Sequence, residues 1–529
     1  MKLFHYIILP LAVLGVLTAC SDDYQDVLNY QSYGRDSLYV ELTFDFERVG
    51  AVTRAMPNGG EEGDGWEYAR ENENKLHNFT VFVIGGGADI NSVANTRFYG
   101  SRYFNDEEVA RVDSFRENLN LKDYDPAIYK DVLTYSFSIP IIASRDEINP
   151  LIFRFIVVAN AGDLTGTYQT VGALREGIPE KTWTEPTEEN SLPTRFVMCN
   201  ENDEYYATGT GDSEDPVRMH VTVERLAARI DFLPTGSEIT GDGLRYTVGT
   251  ASAPQAYLYV DRLAIMNGCQ KQSFYVKRVA NDINGTNLVY LGDESPAPSG
   301  IATNYVIDPY STQKNEANRT NTEFLTNLYG ESRIGNIATM LSSDASLMPT
   351  ITNTNSTVIL GYVNENTFAK ESTFSEYATG VIFQCRYAPV AHYYTAYDSE
   401  SDVLTSGTYT LGNTFYMAEP NTPDIDETQC LYFENQEDAE AYAEKHFCKV
   451  VTYTNGICYY VTYLRHSNNV EVIHDTMEFG IVRNNIYRMM LKPTTGPGTP
   501  TIETREPEEL KARIYVRKWY SVEHPIIYI

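Results

Sequence analysis

The chain has 529 residues and a mass of 59.7 kDa, more than one ordinary core encloses, so roughly two to four units are expected. Lys and Arg number 41 against 72 Asp and Glu, a net charge of −31, and a field of that sign argues against nucleic-acid partners. Hydrophobic residues at 42% and aromatics at 12% exclude wholesale disorder, while 40 Tyr with 35 Gly and 23 Pro favour strands and turns over helices.

Residues 1–19 read as an export signal: Lys2, then an apolar run from Tyr6 to Ala19 interrupted by Pro10. The run ends in Leu17-Thr18-Ala19-Cys20, followed by Ser21-Asp22-Asp23, and looks like a bacterial lipobox. That resemblance implies cleavage before Cys20 and acylation of its thiol, anchoring the chain by its acyl groups. An ordinary signal peptide that happens to contain a Cys is the plainer alternative.

Residues 38–46 alternate strictly: Leu38, Val40, Leu42, Phe44 and Phe46 on one face, Tyr39, Glu41, Thr43 and Asp45 on the other. A strand with one buried face is predicted. Arg48 and Arg54 follow in a short linker, and then the Gly- and acid-rich stretch 58–65, a place where a protease can enter. Residues 76–84 read as the next core strand. A short helix is predicted over 107–116 and a clear one over 436–445, with acid early and base late to suit the helix dipole. The Asn- and Thr-rich stretch 312–321 reads as surface loop.

Residues 493–501, rich in Pro, Gly and Thr, read as a linker. Beyond them Leu510, Ala512, Ile514 and Val516 alternate with Lys511, Arg513, Tyr515 and Arg517, and the sequence closes on Pro525-Ile526-Ile527-Tyr528-Ile529. Such an apolar terminal segment needs burial. It either folds onto its own sheet or enters another molecule by strand addition.

No catalytic site is expected. The sequence holds no CxxC, HExxH, P-loop or GxSxG pattern. His446, Cys448 and Cys458 are close in sequence, yet buried strand thiols are the better reading, with a disulfide among Cys430, Cys448 and Cys458 left open. The acidic groups Asp212, Glu214, Asp215 and Glu61, Glu62, Asp64 lack the EF-hand pattern, so no metal and no cofactor is expected. Asp36-Ser37-Leu38 and Asp475-Thr476-Met477 resemble a short O-glycosylation sequon of exported proteins.

A set of blocks, in order along nearly the whole chain, resembles the Bacteroidales fimbrillins (type V pilins), most closely their minor-fimbriae shaft subunits. The blocks are the lipobox at Cys20, Gly63-Asp64-Gly65 through Glu73-Asn74-Lys75-Leu76, Val223 through Asp231, Ser273 through Val279, Ile481 through Arg488, and Val516-Arg517-Lys518-Trp519. Residues from about 300 to 380 match nothing in that pattern.

The resemblance implies an all-β fold of two transthyretin-like β-sandwich domains with few short helices and a C-terminal donor-strand extension. It implies a lipoprotein precursor at the outer membrane, cut by an arginine-specific protease between Arg54 and Ala55, with Arg48 the lesser site. The removed piece, 20–54, would carry the strand of Leu38, Val40, Leu42, Phe44 and Phe46. The terminal strand of another copy, with Leu510, Ala512, Ile514, Val516, Ile527 and Ile529, would fill the vacated groove and extend an extracellular fimbrium. The implied domains are 55–216 and 217–492, with the linker and donor strand over 493–529. Partners would be other copies or related subunits and the protease. The rivals are a glycan-binding surface lipoprotein, a non-polymerising anchor or tip subunit, and a glycosidase, for which no motif speaks.

Overall fold

In a computed structural model the chain is described over residues 37–44, 66–85, 97–110, 134–140, 152–187, 192–200, 205–208, 216–221, 223–270, 273–280, 288–290, 305–344, 347–368, 375–421, 430–466, 478–493, 496–503 and 510–520. Sheets dominate and the helices are few and short, the all-β class predicted from composition and resemblance.

The first part runs β1 (Ser37–Phe44), β2 (Trp66–Tyr68), α1 (Glu71–Asn74), β3 (Phe79–Gly85), β4 (Gly100–Phe104), β5 (Thr134–Pro140), β6 (Ile152–Ala159), α2 (Val171–Arg175), β7 (Met198–Asn200), β8 (Tyr205–Thr208), β9 (Val217–Val221) and β10 (Val223–Arg225). All these strands except β2 form a nine-stranded sheet with the path β10-β7-β6-β8-β9-β1-β5, with β3 branching from β6 and β4 pairing with β3. Alternate residues bury on opposite faces, as a two-residue period requires: Val81, Val83, Phe155 and Val157 on one, Phe82, Ile84, Ile156 and Val158 on the other.

β9 and β10, at 217–221 and 223–225, belong to this sheet. Val217 and Val221 are fully buried against the β1 side chains, and the change of sheet falls at Leu226, whose N–H donates to Val197 O at 2.9 Å.

The second part runs β11 (Ala227–Phe232), β12 (Ser237–Thr240), β13 (Gly243–Thr250), β14 (Ala253–Met266), β15 (Arg278–Ala280), β16 (Leu288–Tyr290), β17 (Tyr305–Val306), α3 (Thr322–Tyr329), α4 (Ile334–Ser343), β18 (Val358–Asn364), β19 (Gly380–Pro389), β20 (Tyr393–Asp398), β21 (Val403–Ser406), β22 (Phe415–Pro420), β23 (Leu431–Phe433), α5 (Gln436–His446), β24 (Cys448–Tyr453), β25 (Ile457–Tyr463), β26 (Asn485–Pro493) and β27 (Leu510–Tyr520). The sheets β18-β11-β26-β27-β2 and β12-β13-β14-β19-β25 share one core, with Phe232 and Met489 from the first and Leu258, Phe383 and Tyr460 from the second. A third sheet, β21-β20-β23-β22-β24, adds Phe415, Tyr432 and Tyr453 to it.

Helix α5 stands where the charge pattern placed it, with Glu437 and Asp438 in its first turn and Lys445 and His446 in its last. The other expected helix is helical at 106–110, and its remainder lies outside the described residues. The reading of 312–321 as surface loop fails at Lys314. Its ammonium is buried 2.6 Å from Asp308 Oδ2 and donates to Thr367 O at 2.8 Å. The helices α3 and α4 were not foreseen. Asn321 caps α3 by accepting from Phe324 N at 3.1 Å, and Leu325, Leu328, Ile337 and Leu341 bury beneath a polar composition.

Candidate functional site: a plugged groove and a terminal strand

β1 is an interior strand. It pairs parallel with β9 and antiparallel with β5, so Val40 faces Val217 on one side and Phe137 on the other, and Leu42 faces Met219 and Tyr135. Leu38, Val40 and Leu42 are at most 1% exposed, while Tyr39 is 40% exposed, which matches the predicted two faces. Burying these three side chains contributes roughly 1.5–3 kcal/mol each. The strand ends at Phe44, so Phe46 lies beyond it and outside the described residues, as do Cys20, Arg48, Arg54 and Ala55.

β27 carries Leu510, Ala512, Ile514 and Val516, opposite Pro493, Leu491, Met489 and Tyr487 of β26 in an antiparallel ladder. On its other side β2 runs parallel to it, Trp66 opposite Lys518, Glu67 opposite Trp519 and Tyr68 opposite Tyr520. Both β1 and β27 thus sit between one parallel and one antiparallel neighbour. Ile527 and Ile529 lie outside the described residues. The sequence reading missed β2 as a partner of the terminal strand. Its one signal was Trp66 and Tyr68 on the same side of a three-residue run.

The stretch read as a linker is a strap packed on the second core. Gly496, Pro497 and Gly498 are buried, Tyr460 Oη donates to Gly496 O at 2.9 Å, and Tyr453 Oη donates to Gly498 O at 2.8 Å. Thr499 and Tyr459 exchange both backbone bonds, at 2.8 and 3.0 Å. A Cβ at position 498 would meet Tyr459 O at 2.3 Å, so only glycine lets the strap lie this close.

Parts of four resemblance blocks, 73–76, 223–231, 273–279 and 481–488, converge between the two parts. Glu73 of α1 is 1% exposed; its carboxylate lies 3.1 Å from Arg229 Nη1 and accepts from Tyr362 Oη at 2.5 Å. Arg229 also forks on Asp231, both contacts at 3.0 Å, and Arg488 reaches the same carboxylate at 3.0 Å. Arg225, fully buried, donates to Glu73 O at 2.8 Å and to the Asn74 and Asn484 side chains. Arg483 forks on Glu365 at 2.8 and 2.7 Å and donates to the Phe274 and Tyr275 carbonyls at 2.6 and 2.9 Å. Lys277 pairs with Glu224 at 2.9 Å. Nearly every donor of these guanidiniums has an acceptor, the condition under which buried charge is tolerated. Burial raises the carboxyl of Asp231, and its two arginines oppose that shift.

Among the described residues no group of three or more His, Cys, Asp and Glu is placed to hold a metal ion. His446 bonds Asp402 at 3.0 Å, Cys448 is half-buried, and Cys458 lies in the core opposite Cys385. None of the six described cysteines is in a disulfide, and burial pushes Cys199 and Cys269 up to about 12, which leaves them poor nucleophiles. Both acidic groups considered for Ca²⁺ lie outside the described residues, as does the sequon at 475–477.

Residues 451–524 match the family described as major fimbrial subunit protein type IV, Fimbrillin, C-terminal. That span takes in β25, the strap, β26 and β27. No curated protein matches the chain. Among solved structures, a fimbrilin from Porphyromonas gingivalis W83 is similar at 12% identity over 92% of this chain and 98% of that one, with a TM-score of 0.37. The tip fimbrial protein Mfa3 from Porphyromonas gingivalis is similar at 8% identity over 92% of this chain and all of that one, with a TM-score of 0.32. At those scores neither carries an argument. The chain is similar to the fimbrillins in its residue blocks, and over residues 451–524 it matches their C-terminal family.

Proposed function

We propose that this subunit is exported as a lipoprotein acylated at Cys20, cut between Arg54 and Ala55 by an arginine-specific protease, and polymerised into a surface fimbrium by strand exchange. The observation that carries this reading is the place of β1: an interior strand, plugged by Leu38, Val40 and Leu42, whose chain leads directly into the stretch holding Arg48 and Arg54. Removing it opens a groove with a bare backbone edge on each side, a strong template for another strand. The segment beginning at Leu510 supplies the same period-two apolar pattern and already runs between one parallel and one antiparallel neighbour. The role is structural, in adhesion or biofilm formation, with other copies or related subunits as partners and no cofactor. No helix among the described residues is long and apolar enough to cross a membrane, so membrane attachment in this reading falls to the lipid.

The test is incubation of the purified precursor with an arginine-specific protease. N-terminal sequencing should give a start at Ala55, and electrophoresis should give ladders resistant to SDS. Cut protein that stays strictly monomeric would sink the shaft reading. A non-polymerising anchor or tip subunit is the second reading, favoured by the long ladder of β27 on its own β26. Deleting 510–529 separates the two. A folded protein that no longer assembles supports the shaft, and unfolding of the second part supports a strand that stays at home.

A further inference from the structure

We propose that β2 is a latch on the terminal strand, and that the cut which empties the groove also loosens this latch. The inference rests on the strand-exchange reading above. It begins from the sheet order β18-β11-β26-β27-β2, in which β27 is held on both sides. In an extended strand successive N–H groups point to opposite neighbours, so β27 cannot leave β26 until its bonds to β2 also open.

The latch comes from the opposite end of the chain. β2 begins at Trp66, and α1 follows it at Glu71. Within α1, Glu73 is buried on Arg229 and Tyr362, and Arg225 holds its carbonyl. That pins β2 on its C-terminal side. On its N-terminal side the chain leads back to β1, whose Leu38, Val40 and Leu42 are buried in the nine-stranded sheet. In the precursor β2 is therefore a short segment tethered at both ends. A cut after Arg54 leaves it tethered only through α1. Losing one tether lowers the effective concentration of β2 at the edge of β27. Three residues of parallel pairing are too few to stay closed unaided. One cleavage thus acts on both ends of the exchange, the acceptor groove and the donor strand. β2 itself stays with the subunit, because the Glu73 junction lies beyond the cut.

The test uses the full precursor, the unaltered chain and Glu67→Pro, which removes an N–H in the middle of β2. Proline disrupts a short ladder, and the buried cores away from β2 should keep the fold standing. Amide hydrogen exchange over 518–520 is read before and after the arginine-specific cut, and assembly is timed by light scattering. In the unaltered chain the cut should lower protection at 518–520 about tenfold, which corresponds to about 1.4 kcal/mol. In Glu67→Pro the protection should be low before the cut, and assembly after it should be about tenfold faster. Equal protection before and after cutting, with assembly at the same rate in both chains, would overturn the latch while leaving strand exchange intact. The absence of assembly from either cut chain would overturn strand exchange, and the exchange data would still decide whether β2 guards β27. Glu67→Gly, which weakens the strand without removing a donor, should fall between the two and guards against a proline that misfolds.

Discussion

Glu73 and Arg229, 156 residues apart in sequence, meet as a buried ion pair at 3.1 Å, and through it the segment preceding the first core is fastened to the second. The pair shares its surroundings with Asp231, Arg488, Tyr362 and Arg225, so it is one element of a network rather than an isolated bridge.

Breaking this junction from one side should be costly. Arg229→Ala leaves Glu73 and Asp231 facing a void without their fork, and a loss of roughly 3–5 kcal/mol is expected. Urea unfolding monitored by Trp fluorescence measures it. A loss under about 1 kcal/mol would mean that the network is solvated and contributes little.

The plug should matter only while it is in place. Leu42→Ala in β1 removes a fully buried side chain and should destabilise the precursor by roughly 2–5 kcal/mol. Under the strand-exchange reading the same substitution is discarded with the cut piece, so assembled fimbriae of variant and unaltered chain should melt together. A difference between the two assemblies would show that β1 stays.

The strap should tolerate neither bulk nor loss of its hydroxyls. Gly498→Ala forces a Cβ onto Tyr459 O and should cost roughly 1–3 kcal/mol. Tyr453→Phe deletes the donor to Gly498 O and should cost about 1 kcal/mol. Thermal unfolding of each variant beside Tyr453→Phe/Gly498→Ala checks both and shows whether they couple, as contacting residues do.

Mild acid should weaken the fold through His466. Burial, and secondarily Lys277, lower its pKa from 6.5 to about 4, and its Nδ1 lies 2.9 Å from Tyr487 Oη. The unfolded chain then binds a proton that the folded one refuses. The stability held above about pH 6.5 is lost as pH falls to about 4, by about 1.4 kcal/mol per pH unit in that window. His77 shifts the same way but is only half-buried, so its share is smaller. Denaturant midpoints measured from pH 7 to pH 4 should slope downward, and His466→Gln should flatten the slope.

Local periodicity made β1 and α5 readable, because Leu38, Val40 and Leu42 share a face of a strand and the charges of 436–446 run with a helix dipole. It also led to a strand over the residues from Leu510. What periodicity does not carry is the identity of neighbours. That β2 would join β27, or that β9 would join β1, depends on pairings between residues 452 and 177 positions apart. Composition misled where polar residues bury by pairing: Lys314 looks like loop and is core because Asp308 and Thr367 O satisfy it. The Pro- and Gly-rich run was read as a linker, yet Pro493 closes β26 and Thr499 bridges to Tyr459. Its burial was hidden, because the Tyr459 carbonyl and the Tyr460 ring against Gly498 explain the glycine. Four of the resemblance blocks, those at 73–76, 223–231, 273–279 and 481–488, have a physical meaning in the structure: they supply the charged joint between the two parts.

The position of β5 has a consequence for the order of events. In the sheet path β5 lies at the end, and among the described strands its ladder is with β1 alone. Taking β1 out would therefore unpair two strands rather than one, leaving β5 held by its packing, Ile139 included, without a ladder partner. Under the strand-exchange reading, an incoming strand that arrived before the departing one had fully gone would spare the subunit that state. Assembly would then work as a ratchet, each arriving strand restoring β5 to the sheet and closing the way back.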